Sequence, residues 1–382
     1  MRRQRMRYEI GESELKWARE IFDLIERKIS AECDRIGSQM PYIPVEGHYH
    51  DMGEEHLTWW TNSFWAGMLW QMYHATGEAK YADSAIGLEK RLDKALEDYR
   101  HLDHDLGFMW LHTAVAHFRL MKDENAQKRG LHAAAILASR FQPAGNYFRA
   151  WNTQGESVAI VDCLMNLPLL YWGSETSGIA AWKQLAMAHA DMALENILRP
   201  DGSSNHIVEF DQETGQILGK PGGQGYGEGS SWTRGLAWAI YGMGLSYRHT
   251  GKQEYLDAAK RTAHYFIANA AADDYQVVID FRAPREPVYY DNTAAVCAAC
   301  GLLELSEHVG EYEKRLYIAP ALKLLHRITE RFCNWNLEED GITTSGSARY
   351  HRAEDREVPI IYGDYFLMEA ILRLLDRDFM IW

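Results

Sequence analysis

Cysteine and proline are scarce in this chain, with 5 and 10 among 382 residues. Five thiols cannot all be paired, and Cys33, Cys163, Cys297, Cys300 and Cys333 sit in apolar, helix-like surroundings where free cysteine packs as a small hydrophobe. Cys297 and Cys300 make a lone CxxC with no second pair nearby, so no disulfide, metal site or cofactor is expected. Basic charge is also short: 40 Lys and Arg stand against 54 Asp and Glu, a net charge of -14. That balance excludes the basic footprint that a nucleic acid or an anionic membrane surface needs. No window approaches the roughly 18 uninterrupted apolar residues of a membrane helix. The basic start MRRQRMRYEIGESELKW lacks the apolar core of a secretory signal. The expected location is cytoplasmic, and the expected assembly a monomer or homodimer. Strand-like alternation is confined to short pieces such as residues 277–281.

Helical periodicity fills the space these absences leave. The chain is 47% hydrophobic and 12% aromatic, enough for a large core. Caps and breakers delimit twelve helices, near residues 12–33, 63–74, 80–99, 107–121, 125–141, 158–172, 179–198, 232–249, 253–270, 292–309, 311–332 and 362–375. They alternate in type. FWAGMLWQMYHATG, GFMWLHTAVAHFRL and WTRGLAWAIYGMGLSY carry small and aromatic residues on most sides, whereas YADSAIGLEKRLDKALEDY has one apolar stripe and one charged face. The junctions repeat as well: Gly77, Gly178 and Gly251 each stand four residues before an aromatic, Tyr81, Trp182 or Tyr255. Six buried helices alternating with six amphipathic ones call for an all-α fold, a closed (α/α)6 barrel of six helical hairpins, because each inner helix is covered only when its neighbours complete the ring. An open solenoid would need polar capping repeats, which neither end shows. The expectation is a single catalytic domain over 1–382, in which residues 1–55 supply an outer helix and a loop. Five long segments, 34–62, 142–157, 199–231, 271–291 and 334–361, each precede an inner helix and so gather at one mouth, where loops of this length are usually functional.

Asp162 is the lone carboxylate in SVAIVDCLMNLPLLYW (157–172), an otherwise apolar segment of helix length. Burying it costs free energy unless it is satisfied or used. Asp105, just before Gly107 at the start of the preceding inner helix, takes a matching position, so both carboxylates would point into the mouth. A helix cap would also account for Asp105, and a satisfied buried acid for Asp162. Trp60, Trp151 and Trp232 lie in or beside loops, with Trp238 on the helix that follows; an exposed ring there calls for a flat apolar partner such as a sugar. Trp65, Trp70, Trp110, Trp172 and Trp182 read as core. Residues 201–235 are rich in glycine, but no strand precedes them and neither GxGxxG nor GxxxxGKS/T occurs, which argues against phosphate binding. This stretch offers His206, Gln224 and Arg234, the last able to hold a carboxylate through its two-pronged guanidinium. A solvated flexible loop is the competing reading. His351 could reach the mouth from the last long segment, where Arg349 and Arg352 either select an anionic sugar or simply pair with Glu354 and Asp355.

WTNSFWAG (60–67), HDLGF (104–108), VDCLMNLPLL (161–170), SSNHIVEFD (203–211), SSWTRGLAWAIYG (230–242) and GDYFLMEAILRL (363–374), in that order, resemble the blocks of the unsaturated glucuronyl hydrolases, glycoside hydrolase family 88. The resemblance covers almost the whole chain after about residue 55. It implies an (α/α)6 barrel and release of a 4,5-unsaturated glucuronic acid from the non-reducing end of oligosaccharides made by polysaccharide lyases. It further implies Asp162 as general acid/base and Asp105 as the supporting carboxylate. His104, His206, Gln224, Arg234, Trp60, Trp232 and Trp238 would surround the unsaturated sugar, with Trp151 stacked on the next one. Asn62-Ser63 stands where relatives often have Asp-Gly, and His104 stands alone where they often have a His pair, so Asp103 competes with Asp105 for the supporting role.

The implied chemistry suits the residues. The C4=C5 bond of such a substrate is a vinyl ether; a proton added at C4 leaves an oxocarbenium ion at C5 that water captures, and the hemiketal then opens. Two carboxylates flanking C1, the ordinary glycosidase arrangement, are not required. Asp162 must start protonated near neutral pH, and burial among Ile160, Val161 and Leu164 is the expected cause. Three rivals share the barrel or its aromatics: an unsaturated rhamnogalacturonyl hydrolase of the family 105 type, an N-acylglucosamine 2-epimerase-like isomerase, and a non-catalytic sugar-binding barrel. The Trp60 block, SSWTRGLAWAIYG and the pair of aspartates favour family 88.

Overall fold

The computed structural model describes residues 7–153, 155 and 157–382; the basic start of the chain, residues 1–6, lies outside the described residues. Twelve helices frame the fold: α1 (Glu12–Ile36), α2 (Phe64–Thr76), α3 (Ala79–Leu92), α4, α5 (Glu124–Ser139), α6 (Leu167–Ser177), α7 (Ala180–Asn196), α8 (Thr233–Thr250), α9 (Gln253–Ala272), α10 (Asn292–His308), α11 (Glu311–Arg331) and α12 (Ile361–Leu374). Helix α4 is composite, with a π turn over Leu111–Val115 between Leu106–Trp110 and Ala116–Met121.

The even-numbered helices are the inner ones. Every residue of α12 is buried, as is α8 from Thr233 to Ser246. Outer helices show a single buried stripe, which in α3 runs through Tyr81, Ala85, Leu88 and Leu92 at helical spacing. Inner neighbours pack in sequence, α2 on α4, α4 on α6, α6 on α8, α8 on α10 and α10 on α12, and α12 returns to α2. The ring is therefore closed, the (α/α)6 arrangement expected from the alternation of helix types.

Gly77, Gly178 and Gly251 end inner helices in the left-handed conformation, at φ of 78°, 76° and 70°. A side chain there costs about 1 kcal/mol relative to glycine. The hydroxyl residue before each glycine repeats one device: Thr76, Ser177 and Thr250 donate to the carbonyl four residues back and accept the N–H two residues on. Each corner thus gives a partner to an orphan N–H at the start of the outer helix while anchoring the hydroxyl on the last turn of the inner one.

The mouth departs from the all-helix expectation. Three short antiparallel strands, β3 (Val158–Ile160), β4 (Ile207–Phe210) and β5 (Ile217–Gly219), form one sheet in the order β3-β4-β5, and β1 (Phe141–Gln142) pairs with β2 (Tyr147–Phe148). The helix expected over 158–172 is corrected accordingly. Residues 158–160 are a strand, Val161–Met165 is a 3-10 turn, and α6 begins at Leu167 with Pro168 in its first turn. The β-branched Val158 and Ile160 suit a ladder, while proline pre-sets the backbone of a helix start. Likewise the helix expected over 80–99 gives way after Leu92 to a 3-10 stretch with a kink at Asp98. Residues 277–281 form only isolated bridges, Val278 with Tyr290 and Asp280 with Trp232.

Candidate active site

The β3–β4 register brings the first pair together. Ile160 lies opposite Ile207, and Val161 N donates to His206 O at 3.0 Å, so the next residue, Asp162, sits alongside the His206 ring. His206 Nδ1 accepts from Gln224 N at 2.9 Å. The neutral ring therefore carries its proton on Nε2, which faces Asp162 Oδ2 at 3.4 Å; neither atom has another partner in the protein. Gly223 permits this approach, since a Cβ there would fall 2.0 Å from His206 Nδ1.

Asp105 precedes α4 but its carboxylate makes no cap bond. Oδ1 instead accepts from Asn166 Nδ2 at 3.0 Å and lies 3.6 Å from His104 Nε2. Asp103 accepts the N–H of Asp105 at 2.9 Å, and of the two competing acids it is Asp105 that bonds Asn166 at the α6 entrance. His104 is fully buried with no hydrogen bond to either ring nitrogen, and burial pushes it below the ordinary histidine range.

The two carboxyls titrate in opposite directions. Burial and the neighbouring Asp162 charge push Asp105 up to about 7, against the Asn166 bond that lowers it. Burial also pushes Asp162 upward, but the His206 Nε2–H that faces it and the nearby Arg234 charge outweigh it and hold Asp162 below the ordinary aspartate value. The expectation that burial raises Asp162 is thus corrected: the raised acid is Asp105. At about pH 7 Asp105 is therefore half protonated while Asp162 is ionised, and the proton gathers on Asp105 as the pH falls below that.

Arg234, in the first turn of α8, is 2% exposed, and both terminal nitrogens of its guanidinium are engaged. Nη1 donates to Asp291 Oδ2 at 3.0 Å and to Ser347 O, and Nη2 donates to Gln224 Oε1 and Ala348 O, both at 2.7 Å. Its fork is committed inside the protein, so it offers the mouth a charge and a scaffold for Gln224 rather than an open two-pronged grip. Its guanidinium also lies 4.5 Å from the Trp232 ring and 5.4 Å from Tyr362.

The aromatics divide by depth. Trp60 is half-buried against Phe108 and Tyr362, at 5.3 and 5.0 Å. Trp151 is half-buried beside Ala150, Val158, Ile160 and Ile207. Trp232 is buried at 4.4 Å from His206. Trp238 is wholly enclosed against Phe108 and Phe366 and belongs to the floor, not to an exposed wall. His351 lies on the exposed rim, donating from Nε2 to Tyr226 O at 2.7 Å, and does not touch the carboxylate pair. Arg352 pairs with Glu354 at 2.8 Å, the simpler of its two readings. Sequence reasoning missed Asn166, which gave no signal beyond its place four residues after Asp162, and Tyr362. Among the described residues no group of three or more His, Cys, Asp or Glu is placed to hold a metal.

No protein-family model matches the sequence. An unsaturated glucuronyl hydrolase of Bacillus sp. (strain GL1) is 34% identical over 349 residues, which span 89% of this chain and 92% of the relative. An unsaturated chondroitin disaccharide hydrolase of Streptococcus pyogenes serotype M1 is 30% identical over 92% of this chain and 89% of its own length. Among solved structures, an aspartate-to-asparagine mutant of the Streptococcus agalactiae unsaturated glucuronyl hydrolase, complexed with dGlcA-GalNAc6S, superposes with a TM-score of 0.84 at 26% identity, over 100% of this chain and 95% of that one. With its ring closed, its carboxylates paired at one mouth and its likeness sustained from end to end, the chain belongs to the unsaturated glucuronyl hydrolases, glycoside hydrolase family 88.

Proposed function

We propose that the chain removes a 4,5-unsaturated glucuronic acid from the non-reducing end of lyase-generated, glycosaminoglycan-type oligosaccharides. The observation that carries this reading is the pair of carboxyls Asp105 and Asp162, the first pushed up to about 7 and the second held below the ordinary aspartate value, set among Trp60, His104, His206 and Trp232 in a chain of this family. In the free protein the proton rests on Asp105. A bound uronate adds negative charge beside His206 and Arg234, offsets what holds Asp162 down, and draws the proton across to Asp162. Asp162 then delivers it to C4 while water, giving up a proton to the same carboxylate, adds to C5. One water is consumed; the C5 hemiketal opens, C1 becomes a hemiacetal, and its collapse releases the next sugar. Gln224 and the Arg234 charge orient the uronate carboxylate, Trp238 and Phe108 floor the pocket, and Trp151 stacks on the following ring.

The whole ring acts as one catalytic domain on this reading. A cytoplasmic setting is supported by the five cysteines, all unpaired and four of them buried. No helix among the described residues is long and apolar enough to cross a membrane.

Hydration abolishes the ultraviolet absorbance of the conjugated uronate, so turnover of an unsaturated chondroitin disaccharide is read directly as loss of signal. Asp162→Asn should lower kcat by about 10²- to 10⁴-fold. Near-normal turnover in that variant, or a wild-type protein that leaves the absorbance unchanged on a panel of lyase-made disaccharides, would sink the proposal.

A further inference from the structure

Asn166 shares its block with Asp162 but carries no acid or base of its own, and it is fully buried where the segments that hold the two acids enter α4 and α6. Its side chain bridges them. Oδ1 accepts from Phe108 N at 2.7 Å, and Nδ2 donates to Asp105 Oδ1 at 3.0 Å. The amide cannot be turned round, because a backbone N–H only donates: the end at Phe108 must be the carbonyl, so the end at Asp105 must be the NH2. Phe108 is itself held at its carbonyl oxygen by Ser63 Oγ at 2.9 Å and His112 Nδ1 at 2.6 Å. Gly107 lets the two backbones meet, since a Cβ there would stand 2.3 Å from Asn166 Cα.

A neutral carboxyl has one carbonyl oxygen, which accepts, and one hydroxyl, which donates. An N–H donor fixed at Oδ1 makes that oxygen the carbonyl and leaves Oδ2 for the proton. We propose that Asn166 is a positioning residue that gives the two oxygens of Asp105 different work, Oδ1 as an anchored acceptor and Oδ2 as the carrier of the proton shared with Asp162. The inference rests on the hydration reading above. The other groups facing Asp105 are Asp103 and His104 from its own segment, Asp162 and Cys163 from the entrance to α6, and Arg140 from the end of α5. Of these groups and Asn166, it is Asn166 that holds a hydrogen bond to the Asp105 carboxyl, and it sorts the oxygens without adding charge.

Asn166→Asp tests this while sparing the fold, because the new carboxylate still accepts from Phe108 N but no longer presents NH2 to Asp105. Turnover of an unsaturated chondroitin disaccharide should fall about 10- to 100-fold in kcat, part of the ~10²- to 10⁴-fold that a placed proton carrier contributes. KM should stay within about 3-fold, and the alkaline limb of the kcat profile should move up by roughly one pH unit, since a lost donor and an added acid both favour the protonated Asp105. Asn166→Ser serves as a second variant, each compared per folded molecule by circular dichroism. In an Asp105→Asn background neither change should cost more, because no proton remains to be placed. A loss confined to KM, an unmoved alkaline limb, or an equal loss in the Asp105→Asn background overturns the role of Asn166. A wild-type protein that never consumes the disaccharide overturns the underlying hydration reading instead.

Discussion

Asp105 and Asp162 are the same side chain, each buried within the same mouth, yet one is pushed up to about 7 and the other held below the ordinary aspartate value. The difference lies in their partners: a neutral amide for Asp105, and a histidine and an arginine charge for Asp162. For Asp105 the consequence extends to stability. Its folded value of about 7 exceeds the ~3.9 of an unfolded aspartate, so its contribution is fully present below about pH 4 and is lost as pH rises through 7. Asp105→Asn, which cannot ionise, should therefore melt at an increasingly higher temperature than wild type as pH goes from 5 to 8. A melting difference that is flat or falls with pH would contradict the assignment. None of this is visible locally. Leu, Val and Ile beside Asp162 point to a raised acid, while His206 and Arg234, which reverse it, arrive from residues 44 and 72 positions later in the chain.

At the level of elements, the corners and the barrel helices could be read in advance because each has a local cause. Gly77, Gly178 and Gly251 are where only a left-handed residue ends the helix, and the small-plus-aromatic segments are the ones with no face to show water. The β3–β4 sheet could not be read so directly, since a four-residue apolar run before a helix continues its pattern; Pro168 was the one mark of the true start. Close approach gives a sharper test. Gly107→Ala drives a methyl into Asn166 and should cost roughly 1–3 kcal/mol as well as kcat. Gly77→Ala meets nothing within 4 Å and pays only for its φ of 78°, about 1 kcal/mol, with kcat unchanged. Urea unfolding and turnover on the same two proteins separate the cases; equal loss of kcat in both would remove the link between α4, α6 and the acids.

On the scale of the whole molecule, the far end of the barrel is closed by a polar knot. Arg373 bonds Glu304 at 2.8 Å, Glu307 at 2.7 Å, and the hydroxyls of Tyr8 and Tyr241 at 3.0 Å. Trp382 sits above it, 1% exposed, with Nε1 on Glu369 at 2.9 Å and its ring 4.7 Å from His112 and 5.9 Å from Phe108. Trp382→Ala should cost about 3–5 kcal/mol in urea unfolding with an unchanged slope; a cost under 1 kcal/mol would mean the ring packs without support from this side chain. The closed ring was legible because alternation of helix types has few other solutions, whereas the charged plug was not, its members being scattered from Tyr8 to Trp382. The return of α12 onto α2 also has a meaning in time. Those helices are roughly 300 residues apart, and joining them closes a loop that takes in most of the chain. Asp105 and Asp162 leave the ribosome well before α12 does, so the growing chain holds both acids long before the ring that surrounds them can close.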